Sequence, residues 1–528
     1  MYKKWIAGIS IVLMLALFLF TKKLQNHKFP VFNPVSPTEA EEIWNNKTRV
    51  ERFEFRSLMC NGTQAAIDYI EKTFYIPLDM ETEVWETLEF TSGNSEYKIV
   101  FWEDFTKYDK KQLIAEGSRI EFLVYTENEF APYYIVFTGL PIIDISTAEG
   151  IENQKEISGN AVFYDTNFVS YGVQTSEYNG HVRGNTSTLY PKKGYKMNLT
   201  KTENDGSVVN NKLSLFGMRK DDDWILYALY NDETKLRATL SAELWNEMGA
   251  KMVDANATYN TNISYVELIV DEAYHGMYAL MEPIDAKQLN LDAADYLYKR
   301  EHLAELTKEG FEQVNAGEIE AMGFELKSGE LTENAWLPMA EFAEVINSSD
   351  EEFVQNIGKV SDLDNMMRLW LYIQVITGVD QREKNVFYVA RKEGDSYQFT
   401  FVPWDLDLTW GNTSSKIEPY YTEFDKTGIG DIIRWQPGTR LMELNVGGAA
   451  EKMQELYKEL RKTILSDEAL IERMDGLNHI LRDSGAYARE VTRWPESANA
   501  PDYSQVSDYA KERLNYLDNL LEVMEADN

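Results

Sequence analysis

Cysteine is almost absent from this sequence of 528 residues, which contains only Cys60. A single cysteine excludes a disulfide bond within the chain, so the folded state has to be stabilised by packed hydrophobic cores. An isolated cysteine is most often a small buried hydrophobic residue, and we expect that role rather than a nucleophile at Cys60.

Positive charge is also scarce, because 52 lysines and arginines face 87 aspartates and glutamates and leave a formal net charge of −35. An acidic surface repels phosphate backbones, so we expect no nucleic-acid partner. It attracts basic partners, although solubility alone explains the charge equally well. The apolar content of 44% excludes a disordered chain, and the length predicts at least two folded units.

An apolar run marks the start of the sequence. Residues Trp5 to Phe20 are interrupted only by Ser10, and lysines lie on both sides. As a helix the run extends over about 24 Å, slightly less than a hydrocarbon layer of about 30 Å. No small-x-small cleavage pattern follows, so we interpret residues 1–23 as an uncleaved signal-anchor with the remainder outside the membrane. A cleaved signal peptide is the alternative.

The rest of the chain divides into three stretches by composition. Residues 24–50 carry three prolines among polar residues and are interpreted as a tether. Residues 51–150 contain short aromatic and β-branched runs separated by turn residues, which predicts a small β-sandwich-like domain. Residues 151–528 alternate strand-like segments with segments of helical periodicity, and the helices are concentrated towards the end. We therefore expect an α+β fold.

The first candidate for chemistry lies between an apolar helix and an apolar strand. Asp380 is followed five residues later by Asn385. This spacing is typical of a kinase catalytic loop, in which the aspartate accepts the proton of the substrate hydroxyl and the asparagine binds a metal ion. By itself the pair is a weak signal, because aspartate and asparagine are common in ordinary polar loops.

A second acidic motif follows about twenty residues later, at the end of an apolar strand. A carboxylate in the position of Asp405 is what a phosphotransferase needs as a magnesium ligand. If Asp405-Leu406-Asp407 were extended, both carboxylates would lie on one side. The apolar neighbours Val402 and Trp404 make a solvated turn less favourable, because carboxylates in such surroundings need compensation.

A third motif combines glycine with cationic residues. Arg183 and Gly184 lie in a turn whose backbone could approach phosphate groups closely. Lys193 and Lys196 accompany the strand that follows and could neutralise those phosphates. An ordinary polar hairpin would account for the same residues.

In combination, these motifs resemble those of the CotH kinase family, atypical secretory protein kinases named for spore coat protein H. The similar part extends from about residue 155 to about residue 440, so the β-sandwich-like segment and the last helices lie outside it. Five segments occur in the family's order: HVRGNTSTLYPKKGYKMNL, DDDWILYALYNDETKLRATLSAELW, VELIVDEAYHGMYALMEPID, VDQREKNVFYV and FVPWDLDLTWG.

The resemblance implies a protein-kinase-like domain that uses ATP and Mg²⁺ or Mn²⁺. It would phosphorylate serine or threonine on secreted, spore-coat or cell-surface proteins. The resemblance also implies Asp380 as the catalytic residue, with Asn385 and Asp405 as metal ligands. We add Asp407 to the metal site because of its spacing from Asp405.

The nucleotide-binding residues are less clearly marked. Lys196 is the preferred candidate for the lysine that contacts the phosphates, and Lys193 is its competitor. Met281 and Glu282, after a predicted hairpin, would line the adenine pocket. Three residues are candidates for orienting the lysine: Asp232, Arg237 and Glu243. The sequence lacks the GxGxxGxV, HRD and DFG motifs, so ordinary protein kinases do not predict this clamp.

Two other functions stay open. Asp405-Leu406-Asp407 could be the Asp-x-Asp metal motif of a glycosyltransferase that uses a nucleotide sugar. The chain could also be a non-enzymatic surface adhesin on the same fold, although an adhesin needs no carboxylates at these positions. For the kinase we expect a basic, serine-rich protein substrate and membrane association through the N-terminal helix, with a secreted or spore-coat location as the alternative.

Overall fold

The computed structural model describes residues 37–81, 87–147, 156–184, 186–248, 261–382, 384–413, 432–497 and 499–526. The helices are α1 (Pro37–Asn46), α2 (Lys110–Ala115), α3 (Phe168–Tyr171), α4 (Arg237–Met248), α5 (Lys308–Glu312), α6 (Leu337–Asn347), α7 (Asp350–Val360), α8 (Leu363–Ile376), α9 (Gln436–Glu443), α10 (Ala449–Arg461), α11 (Asp467–Asp483), α12 (Ala486–Arg493) and α13 (Ser504–Ala526).

The strands of the first half are β1 (Thr48–Arg49), β2 (Leu58–Cys60), β3 (Thr63–Gln64), β4 (Ala66–Asp68), β5 (Thr73–Pro77), β6 (Phe90–Ser92), β7 (Lys98–Phe101), β8 (Arg119–Tyr125), β9 (Glu129–Thr138), β10 (Ile142–Thr147), β11 (Ile157–Tyr164) and β12 (Gln174–Arg183). Those that follow are β13 (Gly194–Thr202), β14 (Val208–Asn210), β15 (Leu213–Ser214), β16 (Lys220–Asp221), β17 (Asp223–Tyr227), β18 (Ile263–Val270), β19 (Ala273–Met281), β20 (Tyr296–Arg300), β21 (Glu320–Ala321), β22 (Phe324–Ser328), β23 (Val386–Glu393) and β24 (Ser396–Pro403). This mixture, with most strands early and most helices late, confirms the α+β class.

The predicted signal-anchor lies outside the described residues. Within them, no helix has both the length and the apolar character that crossing a bilayer requires. Part of the predicted tether is ordered, because α1 covers Pro37–Asn46. Pro37 occupies the first helical position, where proline's fixed φ suits the helix and its missing N–H breaks no hydrogen bond.

Two facing sheets form the first folded unit. One sheet has the order β4-β5-β9-β8-β7 with β1 beside β9, and the other has the order β3-β2-β6. Apolar side chains from both sheets meet in one cluster, where the rings of Phe55 and Tyr133 lie edge to face at 5.4 Å. Cys60 is fully buried in this cluster, and burial raises the pKa of its thiol to about 12. A thiol of that kind is a packing residue rather than a nucleophile, as the sequence predicts.

A closed barrel of seven strands follows. Its strands run in the order β12-β11-β10-β18-β19-β17-β13, and β13 pairs again with β12. Alternate residues such as Tyr195, Met197 and Leu199 point into an apolar interior, which is the reason the ring can close. Because β10 pairs with both β11 and β18, the barrel begins before the domain boundary predicted at residue 150. The domain limits stay a prediction, but one strand of the barrel precedes residue 150.

The last part of the chain combines a sheet of order β21-β22-β20-β23-β24 with helices α6 to α13. Helix α8 lies in the middle of this part and is almost entirely buried. It begins at the cap of Asp362, whose side chain accepts a hydrogen bond from Asn365 N, and it ends at Thr377 in a left-handed conformation (φ 54°). The chain therefore leaves the core at a defined point, directly before Asp380.

A buried ion pair connects the C-terminal helices with the barrel. Lys192 Nζ lies 2.6 Å from Glu490 Oε1, and both side chains are fully buried. Glu490 Oε2 also accepts a hydrogen bond of 2.9 Å from Met277 N on β19. Burial lowers the pKa of Lys192, while the charge of Glu490 opposes this shift. Helix α12 is thus anchored to the barrel by an ion pair that has no access to solvent.

We expect Lys192→Met to lower the free energy of unfolding by about 3–5 kcal/mol, because it leaves the Glu490 carboxylate buried without a counter-charge. Adding Glu490→Gln should restore much of the loss, because the new amide oxygen can still accept from Met277 N. Urea unfolding followed by tryptophan fluorescence measures both. Lys308→Met, which removes an exposed ion pair with Glu344, is the control and should change little. Wild-type stability in Lys192→Met would contradict this assignment.

Candidate active site

A cleft of about 590 Å³ lies between the barrel and the β20–β24 sheet. The barrel contributes the end of β12 with the turn behind it, and the chain that leaves β17. The other wall comes from β20, β22, the loop before β23 and the loop after β24. The described residues that line the cleft are Arg183, Gly184, Ser187, Tyr190, Tyr227, Asn231, Lys299, Glu301, His302, Lys327, Asp380, Lys384, Asn385, Trp404, Asp405, Asp407 and Leu408.

The loop that carries Asp380 and Asn385 connects α8 to β23. Asp380 starts a short 3-10 turn, and Asn385 Nδ2 donates to Asp380 Oδ2 at 3.2 Å. Asn385 adopts φ 58°, an uncommon backbone for a residue other than glycine. Its backbone is held on both sides, because its N–H donates to Arg300 O and its carbonyl accepts from Trp404 N. The strained asparagine is therefore imposed by its neighbours, as is common at functional sites.

The loop with Asp405 and Asp407 turns instead of continuing the strand. Asp405 has φ 57°, so the extended conformation that we expect from the sequence is wrong here. Both carboxylates nevertheless line the same cleft. The buried Gln381 fastens this loop to the first one, because its Nε2 donates to Trp404 O at 2.8 Å and to Asp405 O at 3.2 Å.

Asp407 is the most perturbed acid of the cleft. Burial raises its pKa to about 8, with further increases from the charges of Asp405 and Asp380. Its carboxylate accepts hydrogen bonds from Asn231 Nδ2 and from Leu408 N. Burial and the neighbouring negative charges disfavour the ionised form of Asp407, and a bound cation would offset both effects, so this group has the chemistry of a cation site.

Cationic residues face these acids. Lys384 Nζ lies 2.9 Å from Asp380 Oδ2, and its pKa is raised because the contact with Asp380 outweighs the effect of burial. On β20, Lys299 Nζ lies 2.8 Å from Glu301 Oε1. Arg183 and Lys327 complete a set of four cations opposite four carboxylates. A cleft that contains both positive and negative side chains suits a ligand in which negative phosphates bind together with a metal cation.

Four residues predicted to bind the nucleotide lie elsewhere among the described residues. Lys193 Nζ donates to Thr188 O at 2.6 Å, on the turn behind β12. Lys196 is on the outer face of the barrel, because its neighbours Tyr195 and Met197 point inwards.

Met281 and Glu282 are the other two. Met281 packs into the large apolar cluster, and the buried carboxylate of Glu282 accepts from Arg219 N and Asn262 Nδ2. None of the four lines the cleft. Their placement therefore gives no support to the roles expected from the sequence.

The three residues expected to orient a phosphate lysine also have other partners. Asp232 forms a buried ion pair with Arg237, whose guanidinium also donates to Gln505 on α13. Glu243 is paired with Arg473 on α11. These contacts join α4 to the C-terminal helices, so their role is to hold the helices together.

Three lysines line the cleft without having been predicted from the sequence: Lys384, which lies between Asp380 and Asn385, and Lys299 and Lys327. The last two lie on β20 and β22, which pair only after the chain has passed through the barrel. No sequence motif marks Lys299. The available signal is its position in a short strand, between Tyr298 and Arg300. Tyr227 and Asn231 were missed as well, although the family-like segment 221–245 contains both.

A separate acidic group lies outside the cleft. Among the described residues, Asp221, Asp222 and Asp223 are the three acids whose carboxylates come close enough to share an ion, within 4.8 Å. Lys287 contacts all three, and Arg219 contacts Asp221. Since these cations already compensate the acids, the group is explained as an ion-pair network.

The geometry of the cleft supports a proton transfer beside a charged ligand. Asp380 is a partly buried carboxylate whose orientation is set by Asn385 and Lys384. The exposed carboxylate of Asp405 has no hydrogen bond or ion pair within the described part of the chain, so it is open to a ligand. Magnesium needs only one or two protein carboxylates and keeps several waters, so these residues are sufficient for it.

Comparison with known proteins assigns the chain to a family. No curated protein matches it. The family model described as CotH kinase protein matches residues 181–517. The match includes the C-terminal helices up to residue 517, so the limit of the resemblance expected at about residue 440 is wrong. Since the match covers more than half of the sequence, this protein belongs to the CotH kinase family.

Proposed function

We propose that the protein is an ATP- and divalent-metal-dependent kinase that phosphorylates serine or threonine on an exported protein. One observation carries this proposal: Asp380, Asn385, Asp405 and Asp407 line a single cleft together with four cationic side chains. Family membership supports a kinase-like activity. In this proposal the barrel and the β20–β24 part with its helices act as the two lobes of an atypical kinase.

Asp380 is proposed as the residue that accepts the proton of the acceptor hydroxyl. The contacts from Asn385 Nδ2 and Lys384 Nζ fix the direction of its carboxylate. As the proton arrives at Asp380, Lys384 remains beside it and can hold negative charge on the transferring group.

Asn385, Asp405 and Asp407 are proposed to hold Mg²⁺ or Mn²⁺. A divalent ion held by these residues would neutralise negative charge on the phosphates. The residues fit such an ion because burial and the charges of neighbouring acids raise the pKa of Asp407. A bound cation would stabilise the ionised carboxylate and reverse this shift. Asn385 and Asp405 contribute oxygen ligands from the two loops that Gln381 connects.

The phosphates of the nucleotide are proposed to lie against Arg183, Gly184, Lys299 and Lys327. Gly184 has φ 109°, and a Cβ there would overlap the Ser187 hydroxyl. Only glycine therefore allows the chain to turn so closely at the edge of the cleft. Lys299 and Lys327 enter from the opposite wall and would neutralise the phosphates.

The acceptor is proposed to be a basic, serine-rich protein of the cell surface or spore coat. The net charge of −35 favours basic partners, and the family supports a protein substrate. We also propose that an N-terminal anchor holds the protein at the outer side of the membrane, on the strength of the apolar run in residues 5–20.

Asp380→Asn is expected to lower the rate constant for phosphate transfer by about 10²–10⁴-fold, because the amide cannot accept the proton. Transfer of labelled phosphate from ATP to a basic serine-rich peptide, with Mg²⁺ or Mn²⁺ present, measures the rate. Asp395→Asn, in the exposed turn between β23 and β24, is the control and should retain full activity. Equal transfer by wild type and Asp380→Asn would rule out this role. Retention of a nucleotide sugar in place of ATP would favour a glycosyltransferase.

Lys299→Met and Lys327→Met should each weaken ATP binding by about tenfold or more, because a charge-assisted contact to phosphate is lost. Lys196→Met is the matched control on the outside of the barrel, and its affinity for ATP should equal that of wild type. Isothermal titration calorimetry with ATP and Mg²⁺ measures the dissociation constant of each variant. Weaker binding in Lys196→Met alone would restore the lysine preferred from the sequence and refute the cleft assignment.

Gln381→Leu should raise the metal concentration that gives half-maximal activity by about tenfold. The substitution keeps the size of the side chain but removes both hydrogen bonds to the Asp405 loop. Initial rates over a Mn²⁺ titration measure the effect, and saturating metal should recover most of the activity. Gln355→Leu on the exposed face of α7 is the control. An unchanged metal requirement in Gln381→Leu would show that the tether does not position the site.

A further inference from the structure

A second cavity, of about 650 Å³, lies where three parts of the fold meet. The two-sheet unit contributes β4, β5 and the start of β8. The barrel contributes the turn between β18 and β19 at Ala273 and Tyr274, and the C-terminal part contributes α12. This cavity has no residue in common with the cleft of Asp380.

Arg489 on α12 forms its inner wall. Its Nε and Nη2 each lie 2.8 Å from the carboxylate of Glu267, so this side chain is held rigidly from behind. Its remaining nitrogen, Nη1, is buried and has no hydrogen-bond partner. That nitrogen lies beside Gly117, another residue of the cavity wall. A buried guanidinium nitrogen without an acceptor is costly, and a ligand with an acceptor group would remove the cost.

Further unused donors point to the same cavity. Arg493 uses Nε to donate to Tyr274 O at 2.9 Å, and the structure shows no acceptor for its two Nη atoms among the described residues. The hydroxyl of Tyr75, in the wall, likewise has no hydrogen bond within the described chain. Arg119 donates Nη2 to Thr73 and keeps its Nη1 at 4.0 Å from Glu71, at the outer rim.

Acceptors in the wall are already occupied. Both carboxylate oxygens of Asp68 accept backbone N–H groups, from Glu71 and from Tyr274. Glu71 is exposed at the rim. Three arginines face two acids in this wall, and Glu267 behind Arg489 balances the third positive charge. The cavity therefore presents guanidinium donors to its contents, in a chain whose net charge is −35.

The same wall also has an aromatic surface. The rings of Tyr75 and Tyr274 stack in parallel with centroids 4.9 Å apart. Ile70, which is 65% exposed, lies at the cavity mouth. We propose that this cavity binds a small organic anion, a phosphate or carboxylate that carries an aromatic or apolar group. The anionic group would contact Arg489 and Arg493, and the apolar group would lie against the tyrosine pair.

Such a ligand would contact all three parts of the fold simultaneously. Glu490, the residue after Arg489, forms the buried pair with Lys192, so the two contacts of α12 are adjacent in sequence. Occupation of the cavity would stabilise the contact between the two-sheet unit, the barrel and α12. It would do so without a metal, which separates this site from the proposed kinase cleft.

Phenyl phosphate and benzoate are the probes, and ligand-observed NMR on the full chain in EDTA gives the affinity. We expect binding in the millimolar range for both anions and at least tenfold weaker binding for phenol, which lacks the anionic group. Equal binding of phenol and the two anions would overturn the proposal. So would the absence of anion binding at millimolar concentration.

Two substitutions locate the site. Arg493→Gln removes free donors at an exposed position, and Thr492→Trp fills the mouth from the same helix. Both should weaken binding of phenyl phosphate by about tenfold or more. Arg434→Gln, which loses an exposed ion pair with Glu443, is the matched control and should bind like wild type. Wild-type affinity in both α12 variants would place the anion elsewhere and refute the assignment. The kinase proposal is tested by phosphate transfer and the anion site by binding in EDTA. A failure of one proposal can therefore be told apart from a failure of the other.

Discussion

Two loops that carry negative charge are held against each other at the centre of this molecule. Asn385 and Asp405 both have left-handed backbones, which costs on the order of 1–3 kcal/mol at each residue. The hydrogen bond from Trp404 N to Asn385 O, at 2.8 Å, and the two bonds from Gln381 keep the loops together in spite of that cost and of the repulsion between their carboxylates. The positions of Asp380, Asp405 and Asp407 in the cleft depend on this contact.

Helix α8, the β23–β24 hairpin and the barrel surround the two loops. Helix α8, buried on nearly all faces, delivers the chain to Asp380, and the pairing of β23 with β24 brings Asp405 back beside it. The closed barrel supplies the opposite wall through the end of β12 and the chain after β17. The buried pair of Lys192 with Glu490 then connects the barrel to α12, and Arg237, which is paired with Asp232, donates to Gln505 and so connects α4 to α13. The desolvation of a buried ion pair is offset only when the two charges meet in a good geometry. These contacts therefore favour one arrangement of the parts of the fold.

Local patterns were enough to expect the acidic residues of the cleft to lie near one another. Asp380 and Asn385 are five residues apart on one loop, and Asp405 and Asp407 follow the next hairpin, so their proximity needs only local chain geometry. Arg183 and Gly184 also line the cleft, and a glycine turn after a strand is a local signal. Lys196 does not line the cleft, and its face could not be predicted locally because it depends on closure of the barrel. Lys196 points outwards for the same reason that Tyr195 and Met197 point inwards.

The sequence by itself determined the α+β class, the membership in the CotH kinase family, the packing role of Cys60 and the acidic residues of the cleft. These features depend on periodicity, composition and short spacings, which are properties of neighbouring residues. Tertiary structure alone decided that β10 joins the barrel, that Lys299 and Lys327 face Asp380, and that Met281 and Glu282 are core residues. It also decided that Tyr75, Tyr274 and Arg489 share one cavity. Those contacts join residues hundreds of positions apart, and only the packing of one part of the fold on another brings such residues together.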